Sequence, residues 1–317
     1  MIIRGVVKRL AANNCHKIAV SSIEHDSVLR TAKHLSLNEE TELITINPDA
    51  SGRITPEAID DKVCSAGLLS VMYVNNETGV VNNIPWISEK YHSVPNGCFF
   101  AGIRLMHSDC VQAAGNYDID VNRLGVDFAT ISSHKIHGPK GVGAIFAKQL
   151  SGLEPLIYGG FDQEFGTRGG TENVPGIVGF GKACEIALSK VEESQMHYML
   201  LRDKFLEALC ESVGTENVVV NGASSPIGKT LNIRIKGVDT QSLILMLDDI
   251  VCISAGSACS SHSTEPSHVL KAMGISDDDC MESLRISFSS FNSEEEVEQA
   301  ANEIAKAANV IAGIDKH

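Results

Sequence analysis

Between Lys17 and about Val174, short apolar runs alternate with stretches of helical periodicity. That alternation restricts the chain to a mostly parallel sheet covered by helices. Lys17-Ile18-Ala19-Val20-Ser21 reads as a strand, and His25 to Leu37 as a helix with Val28, Leu29, Ala32 and Leu35 on one face. Glu42 to Ile46 reads as the next strand, and Thr55-Pro56-Glu57-Ala58 as a helix start with proline in first position. Leu68 to Val74 is a strand, Ile84 to Tyr91 a short helix, and Leu105-Met106-His107 closes another strand. In such sheets ligands gather at the carboxyl ends of the strands. Asn75-Asn76, Asp109 and Ser132 to Lys135 each fall just after one.

Beyond Pro175 the pattern changes. Ile177 to about Ser212 is helical in pattern and long enough to bridge two domains. Strands follow at Val218 to Val220 and Leu231 to Ile235, then a helix at Gln241 to Leu247. Val251-Cys252-Ile253-Ser254 leads into a Gly/Ser/Cys loop, Leu284 to Phe288 reads as a strand, and an amphipathic helix ends the chain. Ser293 with Glu296 three residues on predicts a capping box at its start. The expected division is a large α/β domain over residues 1–190 and a smaller α+β domain over 191–317.

A formal charge of −14 argues against a broad nucleic-acid surface, which needs excess Lys and Arg. No apolar run reaches membrane-spanning length. The nine cysteines contain no CxxC pair, so neither a zinc ribbon nor a thioredoxin-type motif is expected, and no metal site is assigned. A reducing cytoplasm is the simplest setting. Met1 to Leu10 is basic, apolar and free of acids, which suits a mitochondrial transit peptide or a core helix with basic residues outward; the core helix is preferred. Gly222 to Thr230 imitates a phosphate-binding P-loop, but five residues separate its glycines where four are needed, and it runs into a strand.

The chemistry-bearing stretch is Ser132-Ser133-His134-Lys135-Ile136-His137-Gly138-Pro139-Lys140-Gly141-Val142-Gly143, lying between two strand-like runs. A lysine among anion-binding donors is where an aldehyde cofactor can be tethered as a Schiff base; the plainer reading is a basic loop. Asp109 could face a pyridinium nitrogen and keep it protonated, with the Gln112 amide near the ring's phenolic oxygen. Taken singly, Asp109 reads equally as a helix N-cap.

Seven segments occur in an order that closely resembles the cysteine desulfurases and the related selenocysteine lyases, in the class V aminotransferase group. They are Val74 to Gly79, Asp109 to Gln112, Ser132 to Lys135 with Gly138 to Gly141, Gly159-Gly160, Arg168 to Asn173, Ser254 to Cys259, and Leu284 to Ser287. The resemblance implies a type I PLP-dependent transferase fold (aspartate aminotransferase-like) and pyridoxal 5'-phosphate (PLP) as cofactor. Lys135 would carry PLP, Asp109 would pair with its ring nitrogen, and Gln112 would bond its phenolic oxygen. His25 would stack on the ring and shuttle protons. Asn76 would lie near the phenolic oxygen and the substrate carboxylate. Ser132 and His134 would donate to the phosphate, as would Thr171 from the partner subunit of a homodimer. Arg285 would clamp the substrate carboxylate, a task its planar fork suits. Cys259, in a mobile Gly/Ser-rich loop, would be the nucleophile, and the other eight cysteines read as small buried hydrophobes.

The implied reaction turns L-cysteine into alanine. Lys135 removes the α-proton, and the Cys259 thiolate takes the sulfur as a persulfide for a sulfur acceptor or iron–sulfur scaffold. Selenocysteine lyase is the runner-up. The resemblance also implies a glycine-rich Gly-x-Thr-Glu loop upstream of the helix that Met1 to Leu10 resembles, and these residues do not include it. Each charge-assisted phosphate bond so lost is worth about 1.5–3 kcal/mol. A non-catalytic relative that keeps a dimer or partner surface is therefore the alternative expectation.

Overall fold

The computed structural model describes residues 1–93, 104–149, 153–160, 162–222, 227–256 and 265–313. The chain divides into two compact units. The first comprises Met1–Pro48, Ile54–Val74 and Asn82–Val191; the second comprises Asp49–Arg53, Asn75–Val81 and Glu192–His317.

In the first unit, helix α1 (Ile2–Ala11) buries Ile2, Ile3, Val6, Val7 and Leu10, the three-and-four spacing of an inward face, and keeps Lys8 and Arg9 in its last turn. Residues 1–10 are thus core helix. Strand β1 (Lys17–Ser21), helix α2 (Asp26–Asn38), strand β2 (Glu42–Ile46), short helix α3 (Asp61–Cys64) and strand β3 (Leu68–Ser70) follow. Helix α4 (Ile84–Ser93), strand β4 (Leu105–Asp109), short helix α5 (Val121–Leu124), strand β5 (Phe128–Ser132), strand β6 (Gly143–Ala147) and helix α6 (Val174–Ser189) complete the unit. The six strands run in the order β2-β1-β3-β4-β5-β6. All pairings are parallel except β5 with β6. One apolar cluster joins α1 and α2 to Ile18, Val20, Leu68, Leu105 and Phe128 of the strands. This is the expected α/β layer structure, with parallel strands buried as near-continuous apolar runs.

Three local expectations change. Strand β3 ends at Ser70 instead of reaching Val74; beyond it the Val71 and Tyr73 amides still bond β4 carbonyls, while the Met72 N–H donates to the Glu24 carboxylate instead of to a strand. Pro56–Ala58 forms a single 3-10 turn; the chain restarts at Asp60, whose side chain caps α3 through the Val63 N–H at 2.9 Å. The continuous helix expected from Ile177 to Ser212 is two helices, interrupted at Lys190 (φ −119°, ψ 8°).

The second unit contains helix α7 (Val191–Val213), strands β7 (Val218–Val220) and β8 (Thr230–Ile235), helices α8 (Thr240–Leu247), α9 (His268–Ala272) and α10 (Asp277–Met281), strand β9 (Ser283–Ser287) and helix α11 (Glu294–Ile311). The strands form an antiparallel sheet ordered β7-β8-β9, so the stretch after Gly222 does enter a strand. Ser293 and Glu296 make the capping box in both directions, at 3.2 and 3.0 Å. Residues 49–53 and 75–81 cluster with this unit rather than with their sequence neighbours. Ser267 Oγ donates to Glu77 Oε2 at 2.6 Å, and Asn232 Nδ2 to the Glu77 carbonyl at 3.5 Å. Among the described residues, no helix is long and apolar enough to cross a membrane.

The cysteines are less uniform than small buried hydrophobes. Cys64, Cys110 and Cys280 are buried, Cys184 and Cys210 half-buried, Cys252 exposed, and Cys15 is buried and disulfide-bonded. Cys98 and Cys259 lie outside the described residues.

Candidate active site

In the first unit, adjacent parallel strands end side by side and deliver the predicted residues to one edge. Strand β1 leads through Ser22 to Glu24 and His25, β3 into Met72 and Tyr73, β4 ends on Asp109, and β5 ends on Ser132. His25 caps α2, its Nδ1 accepting from the Ser27 N–H at 3.2 Å. Asp109 is 6% exposed. Its Oδ1 accepts from the Val111 N–H at 2.9 Å, and the following residues form turns, so it caps a turn and not a helix. Gln112 is half-buried in those turns. Burial pushes the Asp109 carboxyl above its ordinary value, while the Val111 N–H and nearby His25 pull it back.

Lys135 is exposed in a 3-10 turn, Ser133–Ile136, that connects β5 to β6. The Ser133 N–H donates to Val142 O at 3.1 Å and the Gly138 N–H to Ser133 O at 3.0 Å, closing the turn on itself. His137 ends it in the left-handed region at φ 62°. Beneath, Ile136 packs with Ala114, Phe180 and Ala183, so α6 supports the turn. Gly138 is obligatory there: a Cβ would lie 2.3 Å from Ser133 Oγ and 2.9 Å from the Ala183 Cβ. Ser132 Oγ and His134 Nδ1 are 2.8 Å apart. Burial first, and then the Lys135 and Lys140 charges, hold the His134 imidazole below its ordinary pKa. Thr171 is exposed ahead of α6.

In the second unit, Arg285 on β9 donates from Nη1 to the Asn76 carbonyl at 3.4 Å. The Arg285 N–H bonds Ser254 O at 2.7 Å, which pins the chain leading into the Gly/Ser/Cys loop. The Asn76 Oδ1 is buried without a hydrogen-bond partner. Cys259 lies outside the described residues. Among the described residues, no group of three His, Cys, Asp or Glu is placed to hold a metal.

The donor set fits PLP. A buried carboxylate at a strand end needs a cationic or donor partner to remain charged, which a protonated ring nitrogen supplies. The amine of Lys135, the Ser132 and His134 donors and the neighbouring Lys140 suit an aldehyde bearing a phosphate.

Glu24 carried no expectation from its sequence. It is fully buried, and its carboxylate accepts the Met72 N–H. The available signal was a carboxylate between a strand end and a helix cap. His107, fully buried between Ser70 Oγ (2.8 Å) and Thr130 Oγ1 (3.2 Å), was likewise read only as strand.

Known proteins resemble the chain in sequence and in fold. The aminotransferase class-V profile matches residues 1–300. Cysteine desulfurase IscS of Pseudomonas entomophila is 38% identical, the match covering 98% of this chain and 74% of that protein. A solved NifS-like protein superposes with a TM-score of 0.83 at 29% identity, covering 96% of this chain and 78% of the other. The structure of SspA in complex with cysteine has a TM-score of 0.68 at 29% identity, covering 92% and 78%. The chain belongs to the class-V aminotransferase family, and within it to the cysteine desulfurases. These are PLP-dependent enzymes, and the fold described above is theirs.

Proposed function

We propose that the chain acts on L-cysteine, delivering alanine and a protein-bound persulfide that a sulfur acceptor or iron–sulfur scaffold then receives. The observation that carries this reading is the buried Asp109 carboxylate at the end of β4, one strand away from the turn bearing Lys135.

PLP, when bound, supplies an electron sink for the substrate α-carbon. Lys135 would hold the cofactor's aldehyde carbon, and its Nζ would take the proton from the substrate α-carbon. Asp109 would keep the ring nitrogen protonated, Gln112 and Asn76 would lie by the phenolic oxygen, and His25 would lie against the ring. Ser132, His134 and Thr171 would hold the phosphate, Thr171 from the second subunit. Arg285 binds the substrate carboxylate through its planar fork. The Cys259 thiolate attacks the substrate sulfur; the new S–S bond forms as the C–S bond breaks, and the carbon fragment, reprotonated, leaves as alanine. Exposed apolar side chains on α6 (Val174, Ile177, Val178 and Leu188) support a homodimer.

Titration of the purified chain with PLP tests the reading. An absorbance band near roughly 420 nm is expected, as for PLP bound to a lysine, with no such band in Lys135→Ala. The same weak spectrum from both proteins would overturn it.

A further inference from the structure

The proposed chemistry needs Asp109 charged and fixed, yet it assigns nothing to the carboxyl group beside it. Glu24 stands just past β1 and is completely buried. Its Oε1 accepts the Met72 N–H. The next amide, that of Tyr73, donates to the Asp109 backbone carbonyl at 3.0 Å, and the Val71 N–H donates to the His107 carbonyl at 3.2 Å. Ser108 Oγ also donates to Val71 O at 2.9 Å. Residues 71–73 therefore form a strap that Glu24 grips on one side and β4 on the other.

We infer that Glu24 is a positioning residue for Asp109, fixing through the Met72 amide the strap whose neighbouring amides anchor the end of β4. Because it concerns Asp109, its consequence for cofactor binding rests on the function proposed above.

The charge state of the pair supports this. Burial lifts the Glu24 carboxyl well above its ordinary value, and the nearby Asp109 lifts it further. Asp109 is raised by burial but relieved by the Val111 N–H and His25. Cys110, next to Asp109 in the chain, has its thiol pushed up to about 12 by burial and stays neutral. Two carboxyl groups in one apolar site cannot both ionise cheaply, and of the two Glu24, lifted further, is the one more inclined to hold the proton. A neutral acid still accepts the Met72 N–H through its carbonyl oxygen.

The test uses ¹³C-carboxyl NMR on the cofactor-free chain, followed by PLP titration of the same samples. Glu24→Gln, neutral and still an acceptor, should leave the Asp109 titration within about 0.3 pH unit of wild type. It should also hold PLP within about threefold. Glu24→Ala should move the Asp109 titration by more than about half a unit and weaken PLP binding about tenfold or more. In an Asp109→Asn background the Glu24→Ala change should weaken PLP little further, since the effect runs through Asp109. If Glu24→Ala does not fold by circular dichroism, Glu24→Asp, which withdraws the carboxyl by one methylene, takes its place. The inference is overturned if Glu24→Gln lowers the Asp109 titration as far as Glu24→Ala does, or if Glu24→Ala changes neither readout. Wild type that shows the NMR pattern but takes up no PLP would sink the cofactor reading and leave the positioning role standing.

Discussion

Arg285 reaches the backbone carbonyl of Asn76 from Nη1 at 3.4 Å, across 209 residues of sequence and within one compact unit. The two residues assigned to the substrate carboxylate are thus held together before any substrate arrives. Half-buried Arg285 gives the planar fork a fixed origin on β9. Arg285→Lys keeps the charge but loses the two-pronged geometry. The Michaelis constant for cysteine should rise roughly ten- to a hundredfold, the equivalent of losing about 1.5–3 kcal/mol of a charged hydrogen bond. Steady-state kinetics on cysteine check it; an unchanged Michaelis constant would remove Arg285 from the substrate site.

Gly138 sets the shape of the lysine turn. An alanine Cβ would meet Ser133 Oγ at 2.3 Å and the Ala183 Cβ at 2.9 Å, so either the turn or α6 has to move. Overpacking of this kind costs about 1–3 kcal/mol. Gly138→Ala should lower the thermal midpoint and weaken PLP uptake together, whereas Gly141→Ala, with nothing within 4 Å of its Cβ but a φ of +78°, should affect stability mainly through backbone strain. Melting curves and PLP titrations of the two variants separate these effects.

His107 makes stability depend on acid. Burial between Ser70 and Thr130 pushes its pKa down to about 3. In the unfolded chain an imidazole titrates near about 6.5. Above that value it is neutral in both states and contributes no pH dependence. As pH falls from about 6.5 toward about 3, only the unfolded chain takes the proton, so stability drops by up to about 1.4 kcal/mol per pH unit. Denaturant melts of wild type and His107→Gln across that window should show the shallower slope in the variant. Parallel slopes would place the acid sensitivity elsewhere.

The sheet was legible in the sequence because its strands are short apolar-rich runs, four of which, β1, β3, β4 and β5, end on a polar residue (Ser21, Ser70, Asp109 and Ser132). The same feature brought Asp109 and the Lys135 turn to one edge. Glu24 was not legible: a single carboxylate carries no periodicity, and its partner, the Met72 amide, lies 48 positions away. The apolar run from Leu68 to Val74 overestimates β3 because apolar character persists past Ser70, where the Met72 amide already turns to a side-chain acceptor. The membership of residues 49–53 and 75–81 in the second unit was hidden for a related reason. Contacts such as Ser267 with Glu77 span 190 positions, and no local pattern encodes them. Lys190 breaks a helix that periodicity alone reads as continuous, because both sides keep the same apolar spacing.

Turnover of L-cysteine by the PLP-loaded chain tests the central claim most directly. Alanine should accumulate with sulfide in the presence of a reductant, and mass analysis without reductant should find one extra sulfur on Cys259. Lys135→Ala should form no alanine, and Cys259→Ala should form none beyond the PLP-only background. Equal alanine yields from wild type and both variants would contradict the account.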